Sequence, residues 1–278
     1  MAGLHARVPT AAVSALPRTP RPGALWWRST LYWLALYRRN WQGSAISNFL
    51  APLLYLGAMG YGLGTLVNRS GTGALDGVPY VQFIAPGVLA ATAMQTGVGE
   101  STYPVMGAVK WQRQYHAMLA GPMGPVDLVL GTGAFVVLRV AIACGAFTVV
   151  AALLGALPSP LALVAALVAV LCGAAHAPAT MAFSAAQEND YYFALLFRFG
   201  VLPAFLFAGT FFPVDQLPGW IRPLAWVTPL WHGTTAARQL ALGAPDWPAI
   251  AAHCAYLLLW AVVGIWLAVR VFTRRLVT

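Results

Sequence analysis

Long apolar runs separated by short polar or glycine- and proline-rich joints organise the 278-residue chain. The runs cover about 44–67, 81–102, 126–156, 161–186, 194–212 and 250–272. Several reach or exceed the roughly 20 residues that cross a bilayer's hydrocarbon. The pattern predicts six transmembrane helices and an all-α polytopic membrane protein. Pro52 and several glycines fall inside the first run, and the turn LPSP parts the third from the fourth. The third run is long enough to tilt or to extend beyond the bilayer.

Two segments break the pattern. Within 24–42, ALWWRSTLYWLALYRRNWQ, the residues Trp26, Thr30, Trp33, Tyr37 and Trp41 recur at helical spacing, and Arg28, Arg38 and Arg39 add positive charge. Aromatic and basic side chains favour the headgroup zone, so the segment reads as an N-terminal interfacial amphipathic helix, or else as the opening of the first span. Residues 213–248 are moderately apolar but carry Pro213, Pro218, Pro223, Pro229, Pro245 and Pro248. Irregular backbone at membrane depth is tolerated where protein covers it. Two short helices dipping back into the outer leaflet fit, giving an external re-entrant helical hairpin (about 213–243) between spans five and six. Trp220, Trp226 and Trp231 would then sit at the outer interface. The proline-rich residues 1–23 have no continuous apolar h-region and read as a disordered cytoplasmic tail. Residues 273–278 form a second short tail.

Composition strengthens the membrane reading: 60% of residues are hydrophobic and 8% charged, against about 25% charged in soluble domains. The formal charge of +9 is distributed as a topology signal and gives no support to nucleic-acid binding. Arg7, Arg18, Arg21, Arg28, Arg38 and Arg39 precede the first span, and Arg270, Arg274 and Arg275 end the last. With both termini in the cytoplasm, twelve Lys and Arg lie inside and three outside, the bias that sets orientation. Cys144, Cys172 and Cys254 fall in apolar runs and lack metal-knuckle spacing, so they read as small hydrophobes. The arginine-rich, lysine-poor composition, with much Ala, Gly and Pro, points to a GC-rich bacterial genome.

One cytoplasmic joint is unusual. The stretch 110–119, KWQRQYHAML, holds the chain's only lysine, and proline and glycine bound it: Tyr103-Pro104 before, Gly121-Pro122-Met123-Gly124-Pro125 after. In one helix Trp111, Tyr115 and Met118 would share a face. Such a helix (about 104–120) offers a face to a cytosolic partner, or packs as an ordinary loop helix against lipid.

The block FIAPGVLAATAMQTGVGESTYPVMGAVKWQRQYHAMLAGPMGPVDLVLG resembles the ABC-2 family of transporter permeases. It is closest to the branch of nodulation lipo-oligosaccharide and daunorubicin-type drug exporters. A second block, FAGTFFPVDQLPGWIRPLAWVTPLWHGTTAARQLALG (207–243), resembles the family's signature after the fifth span. With the six-span layout the similarity covers nearly the whole chain. The resemblance implies a half-transporter over 44–272 in the bacterial cytoplasmic membrane, paired with a second permease, identical or homologous. It also implies a cytoplasmic coupling helix that docks a separate ATPase subunit, two copies per assembly. Lys110, Trp111, Arg113, Tyr115 and His116 would be its contacts. ATP and Mg would bind to that partner and no cofactor to this chain. Independently, a P-loop needs GxxxxGK[ST], and Lys110 follows Ala108-Val109 and precedes Trp111.

Ionisable groups within spans are functional candidates. Glu100 ends the second span and Arg139 lies well inside the third; either the two pair, or Arg139 faces the dimer pathway or a polar substrate group. His232 and Arg238 could meet a departing head group, with a purely structural role open for His232. Tyr55, Tyr61 and Phe83 are candidates for lining the path, or else for packing. Gln187-Glu188-Asn189-Asp190 reads as a solvated turn or as a gating contact. No HExxH or GxSxG motif suggests catalysis. The favoured function is the permease of an ATP-driven exporter for an amphipathic substrate: a glycolipid, a lipo-oligosaccharide or a hydrophobic drug. The alternative is a membrane-embedded enzyme of lipid or envelope synthesis.

Overall fold

The computed structural model describes residues 21–69 and 77–277. The expectations for 1–20 of the N-terminal tail, for 70–76 of the loop after the first span and for Thr278 lie outside the described residues. Among the described residues all regular structure is helical.

The expected interfacial helix and first span form one segment. Helix α1 (Trp26–Tyr55) runs through a π-helical stretch (Leu56–Leu63) into α2 (Gly64–Arg69). The break between the two expected parts is local: Asn40 leaves helical geometry at φ −125°, ψ 15°. Pro52 removes a second backbone donor, which loosens the same segment. Before the break α1 runs beside the first half of α6 (Pro125–Leu153), in the same direction. The main-chain N–H of Leu25 donates to Asp127 (2.7 Å), Thr30 donates to the Gly131 carbonyl (3.0 Å), and Trp33 donates to Thr132 (3.2 Å). Gly131 permits this approach, since a Cβ there would stand 2.4 Å from the Trp26 carbonyl oxygen.

After α3 (Tyr80–Glu100) and the short α4 (Tyr103–Met106) and α5 (Gln114–Leu119), α6 and α7 (Ala162–Ala186) form an antiparallel pair. Gly155, at φ +67°, turns the chain between them. α3 is the most enclosed long helix, packed against α6 and α7. Small residues allow this closeness: a Cβ on Gly97 would meet the Gly173 carbonyl oxygen at 2.6 Å, and one on Gly173 would meet that of Ala93 at 2.6 Å. Close backbone approach of this kind is how helices associate in lipid, where burial of apolar surface supplies little drive.

The expected fifth span is helical but short. α8 (Tyr191–Leu195), a π-helical stretch (Leu196–Val201) and α9 (Leu202–Phe207) make one apolar rod, Tyr191–Phe207. Five other helical segments are long and apolar enough to cross a membrane: Trp26–Arg69, Tyr80–Trp111, Pro125–Leu153, Ala162–Ala186 and Trp247–Leu276.

Residues 208–246 fold as a 3₁₀ turn (Val214–Gln216), α10 (Arg222–Val227) and α11 (Pro229–Ala241). α11 starts beside Cys172, well along α7, where the Pro229 carbonyl lies 3.8 Å from its Sγ. It ends at the start of α7, where the Ala241 carbonyl accepts from the main-chain N–H of Ser159 (3.3 Å). α12 (Trp247–Leu276) closes the bundle against α7. Asp246 caps its N-terminus through the Ala249 N–H (3.2 Å), and Arg274 and Arg275 complement the dipole in its last turn.

Candidate functional site

Two regions of the molecule carry unusual chemistry. The first lies at the end where α1 starts and α12 finishes. The expected single helix over 104–120 is instead two pieces. A π-helical stretch (Gly107–Trp111) is followed by Arg113 in left-handed geometry at φ +51°, and α5 begins after it. The extra π residue and the left-handed turn reset the helical phase, so Trp111 and Tyr115 do not share a face. Trp111 is 56% exposed and Tyr115 is 0% exposed.

Tyr115 is an anchor. Its hydroxyl meets Thr132 Oγ1 at 3.1 Å, the same oxygen that accepts from Trp33 Nε1. Its ring packs edge-on to Trp33 (6.2 Å) and tilted against Phe272 (5.4 Å). One side chain of the 103–119 segment thereby touches α1, α6 and α12. Lys110, Trp111, Arg113 and His116 are exposed. Around Val109, the side chains of Lys110, Arg113, His116 and Arg275 line a basic cup of about 280 Å³. Glu188 clasps its rim: its carboxylate pairs with Arg275 and its carbonyl accepts from Lys110. The hydrogen bond and charge of Arg275, with a smaller contribution from Lys110, hold the Glu188 carboxyl below the usual carboxylate range.

Glu100 and Arg139 pair. Arg139 donates from Nε (2.9 Å) and Nη2 (2.7 Å) to Glu100 Oε1, and Nη2 also donates to Ser44 on α1 (3.1 Å). The guanidinium lies over the Tyr37 ring at 4.3 Å. The sequence left this contact open because Glu100 ends its helix while Arg139 sits about 21 Å along α6 from Pro125, at 1.5 Å per residue. Both facts hold together because the 103–119 segment hangs beyond the end of α3, and α6 climbs that distance before reaching Glu100.

At the opposite end Arg238 is a brace. It donates to the carbonyls of Phe83 (3.1 Å) and Gly209 (2.6 Å), and its guanidinium lies 4.0 Å over the Phe83 ring. Phe83 is therefore buried under Arg238. His232 Nδ1 meets His253 Nδ1 at 2.8 Å while its Nε2 meets the Trp226 carbonyl at 3.0 Å, and its ring stacks on Tyr256 at 3.9 Å. Tyr61 donates to the Leu154 carbonyl at the end of α6. Arg238, Phe83, His232 and Tyr61 are not among the residues lining the cavities described below.

The second region is a cleft between α1, α3 and the Tyr191–Phe207 rod. A cavity of about 340 Å³ is lined by Ser47, Asn48, Tyr55, Thr92, Gln95 and Thr96, with Phe147 and Phe205. A neighbouring cavity of about 500 Å³ shares Gln95 and Phe205 and is otherwise lined by Phe197, Arg198, Val201 and Leu202. Tyr55, Phe205 and Phe211 form an aromatic triangle at one end, with centroids 5.0 to 6.1 Å apart. Of the three aromatics expected to line a path, Tyr55 borders this cavity. Sequence reasoning passed over Asn48, Gln95, Thr96 and Phe205. Thr92, Gln95 and Thr96 at i, i+3, i+4 inside an apolar run were the available signal.

Comparison with known proteins places these features in a lineage. Residues 23–242 match the ABC-2 type transporter family. The chain is 34% identical to Nodulation protein J of Rhizobium leguminosarum bv. trifolii, over 89% of this chain and 95% of the relative. It is 32% identical to Nodulation protein J of Rhizobium meliloti, over 88% and 94% respectively, and 28% identical to that of Bradyrhizobium diazoefficiens over the same shares. The family match spans most of the chain, and the chain belongs to the ABC-2 type transporter family.

Proposed function

We propose that this chain is the permease of an exporter that moves an amphipathic substrate out across the bacterial cytoplasmic membrane, energised by separate ATPase subunits. The chain makes six spans, with the Tyr191–Phe207 rod as the fifth and both termini in the cytoplasm. Two such permeases, identical or homologous, work with two ATPase copies, which carry ATP and Mg. The re-entrant reading of 213–243 is supported by the course of α11, which begins alongside the middle of α7 and returns to its start.

The observation that carries the reading is the Tyr115 anchor. An exposed patch (Lys110, Trp111, Arg113, His116) is fastened through one fully buried aromatic to α1, α6 and α12. A partner that pushes or pulls on the patch thus acts directly on three helices, two of which, α1 and α6, also line the cleft. Interior packing transmits such displacement because it is dense and weakly compressible. Substrate enters the cleft between α1, α3 and the fifth span from the cytoplasmic side or inner leaflet, and leaves past the 213–243 hairpin.

The test is purification of the tagged chain from native membranes in mild detergent, beside a Trp111→Asp, Arg113→Glu variant. An ATPase subunit is expected to co-purify with the native chain and to be lost from the equally folded variant. Absence of any ATPase, even after crosslinking, would remove the proposal's energy source.

A further inference from the structure

The cleft contains polar side chains with nothing to bind. Ser47 and Thr92 return their hydroxyls to carbonyls of their own helices, at 3.1 and 2.8 Å. The amides of Asn48 and Gln95 and the hydroxyl of Thr96 make no hydrogen bond among the described residues, yet all three line the 340 Å³ cavity. Gln95 and Thr96 are placed there by helix phase. Ala93, Met94, Gly97 and Val98 are buried against the bundle, which turns positions 92, 95 and 96 outward to the cleft. Gln95 is exposed in a helix that is otherwise mostly enclosed.

Gln95 is exposed and Asn48 and Thr96 are half-buried, so these unpaired groups are open to exchange hydrogen bonds with an entering polar group. Each amide presents donors and an acceptor, and the hydroxyl presents both. Among the described residues no carboxylate lines either cavity, and the one cation that does, Arg198, is exposed beside the larger. A charged head group entering the smaller cavity would lose its hydration without gaining a counter-ion. A neutral hydroxyl- or amide-rich group would exchange hydrogen bonds with water for hydrogen bonds with the protein. The larger cavity, walled by Phe197, Val201, Leu202 and Phe205, offers the apolar complement. Gln95 is the polar residue common to both.

We infer that Asn48, Gln95 and Thr96 form a recognition site for an uncharged, hydrogen-bonding head group, and that Gln95 marks where head and apolar chain of one bound amphiphile part. This rests on the export reading for the movement of the ligand, and on the cleft alone for its binding.

The experiment uses the full assembly in lipid nanodiscs with two photoreactive probes of equal chain length, each carrying a diazirine in the alkyl chain. One is a decyl N-acetylglucosaminide and the other a decyl phosphate. The neutral probe is expected to label the 197–202 stretch. Labelling should fall about tenfold in Asn48→Leu and in Gln95→Leu, the loss that goes with about one hydrogen bond. Thr273→Val, whose hydroxyl is satisfied within α12 away from the cleft, should label as the native chain does. The phosphate probe should label no more than background. Equal labelling in Gln95→Leu and native chain, equal labelling by both probes, or no labelling of the folded assembly would each overturn the inference; the last would assign the cavity to side chains of a second permease. Co-purified ATPase is quantified on the same samples. Labelling without ATPase would remove the export reading and keep the site, and ATPase without labelling would do the reverse.

Discussion

The Glu100–Arg139 pair allows a quantitative test of how α1, α3 and α6 are held together. Both side chains are largely enclosed, at 23% and 11% exposure respectively, and one carboxylate oxygen takes two guanidinium hydrogen bonds. Removing one member of a buried pair leaves the other charged and unpaired, which costs about 3–5 kcal/mol. Because neither group is wholly withdrawn from solvent, the lower end applies. Glu100→Met should cost about 3 kcal/mol, chiefly by stranding the guanidinium. Arg139→Met should cost a similar about 3 kcal/mol, because it also gives up the hydrogen bond to Ser44 and the contact over Tyr37. The double substitution strands no charge and should cost only about 1–2 kcal/mol, the worth of those two lost contacts. Reversible unfolding of the four proteins in bicelles, followed by tryptophan fluorescence, measures the coupling. A double-variant loss equal to the sum of the single losses within about 0.5 kcal/mol would refute the reasoning, since independent sites add in that way. The reversed pair, Glu100→Arg with Arg139→Glu, should recover part of the stability and no more, because a carboxylate at 139 cannot occupy the face of Tyr37.

Three further outcomes follow from named contacts. Tyr115→Phe should cost about 1 kcal/mol by removing the hydroxyl from Thr132, whereas Tyr115→Ala should cost about 3–5 kcal/mol. Hydrogen exchange should then rise across 103–119 in the alanine variant alone. Gly173→Ala should destabilise by about 1–3 kcal/mol through overpacking, since its Cβ would stand 2.6 Å from the Ala93 carbonyl oxygen and 2.7 Å from Val140 Cγ1. Gly99→Ala, with open space around the added carbon, should not lower the thermal midpoint. The Glu188 clasp should depend on acidity. A carboxyl whose value is lowered on folding favours the folded contact above its unfolded value of 4.5 and loses that contribution as pH falls through the lowered value. Hydrogen exchange across 187–190 in the native chain, corrected for its intrinsic pH dependence, should rise as pH falls through that window, and Glu188→Gln should remove the dependence; a pH-independent protection in the native chain would count against the clasp.

What the sequence settled by itself was the class of structure and where most long helices lie. Apolar runs of membrane-spanning length at 81–102, 126–156, 161–186 and 250–272 correspond to α3, α6, α7 and α12, because transfer of a helical backbone into lipid depends mainly on a local sum of side-chain hydropathies. The two sequence blocks likewise sufficed for the family. The site was legible only in part. Lys110, Trp111, Arg113 and His116 lie together at the surface as a chain-local cluster would, but the burial of Tyr115 depended on a partner 17 residues on, Thr132, and on Phe272 at the far end of the chain. The π-helical stretch before it shifts phase by one residue, which periodicity counted along a regular helix does not register. Arg238 shows the same limit. In sequence it is a lone cation near the end of a helix, and only the approach of Phe83 and Gly209 makes it a brace. Contacts such as these, and the unpaired amides of Asn48 and Gln95, are decided by which faces of distant helices meet. Hydropathy along a single helix contains no information about the partner across the gap.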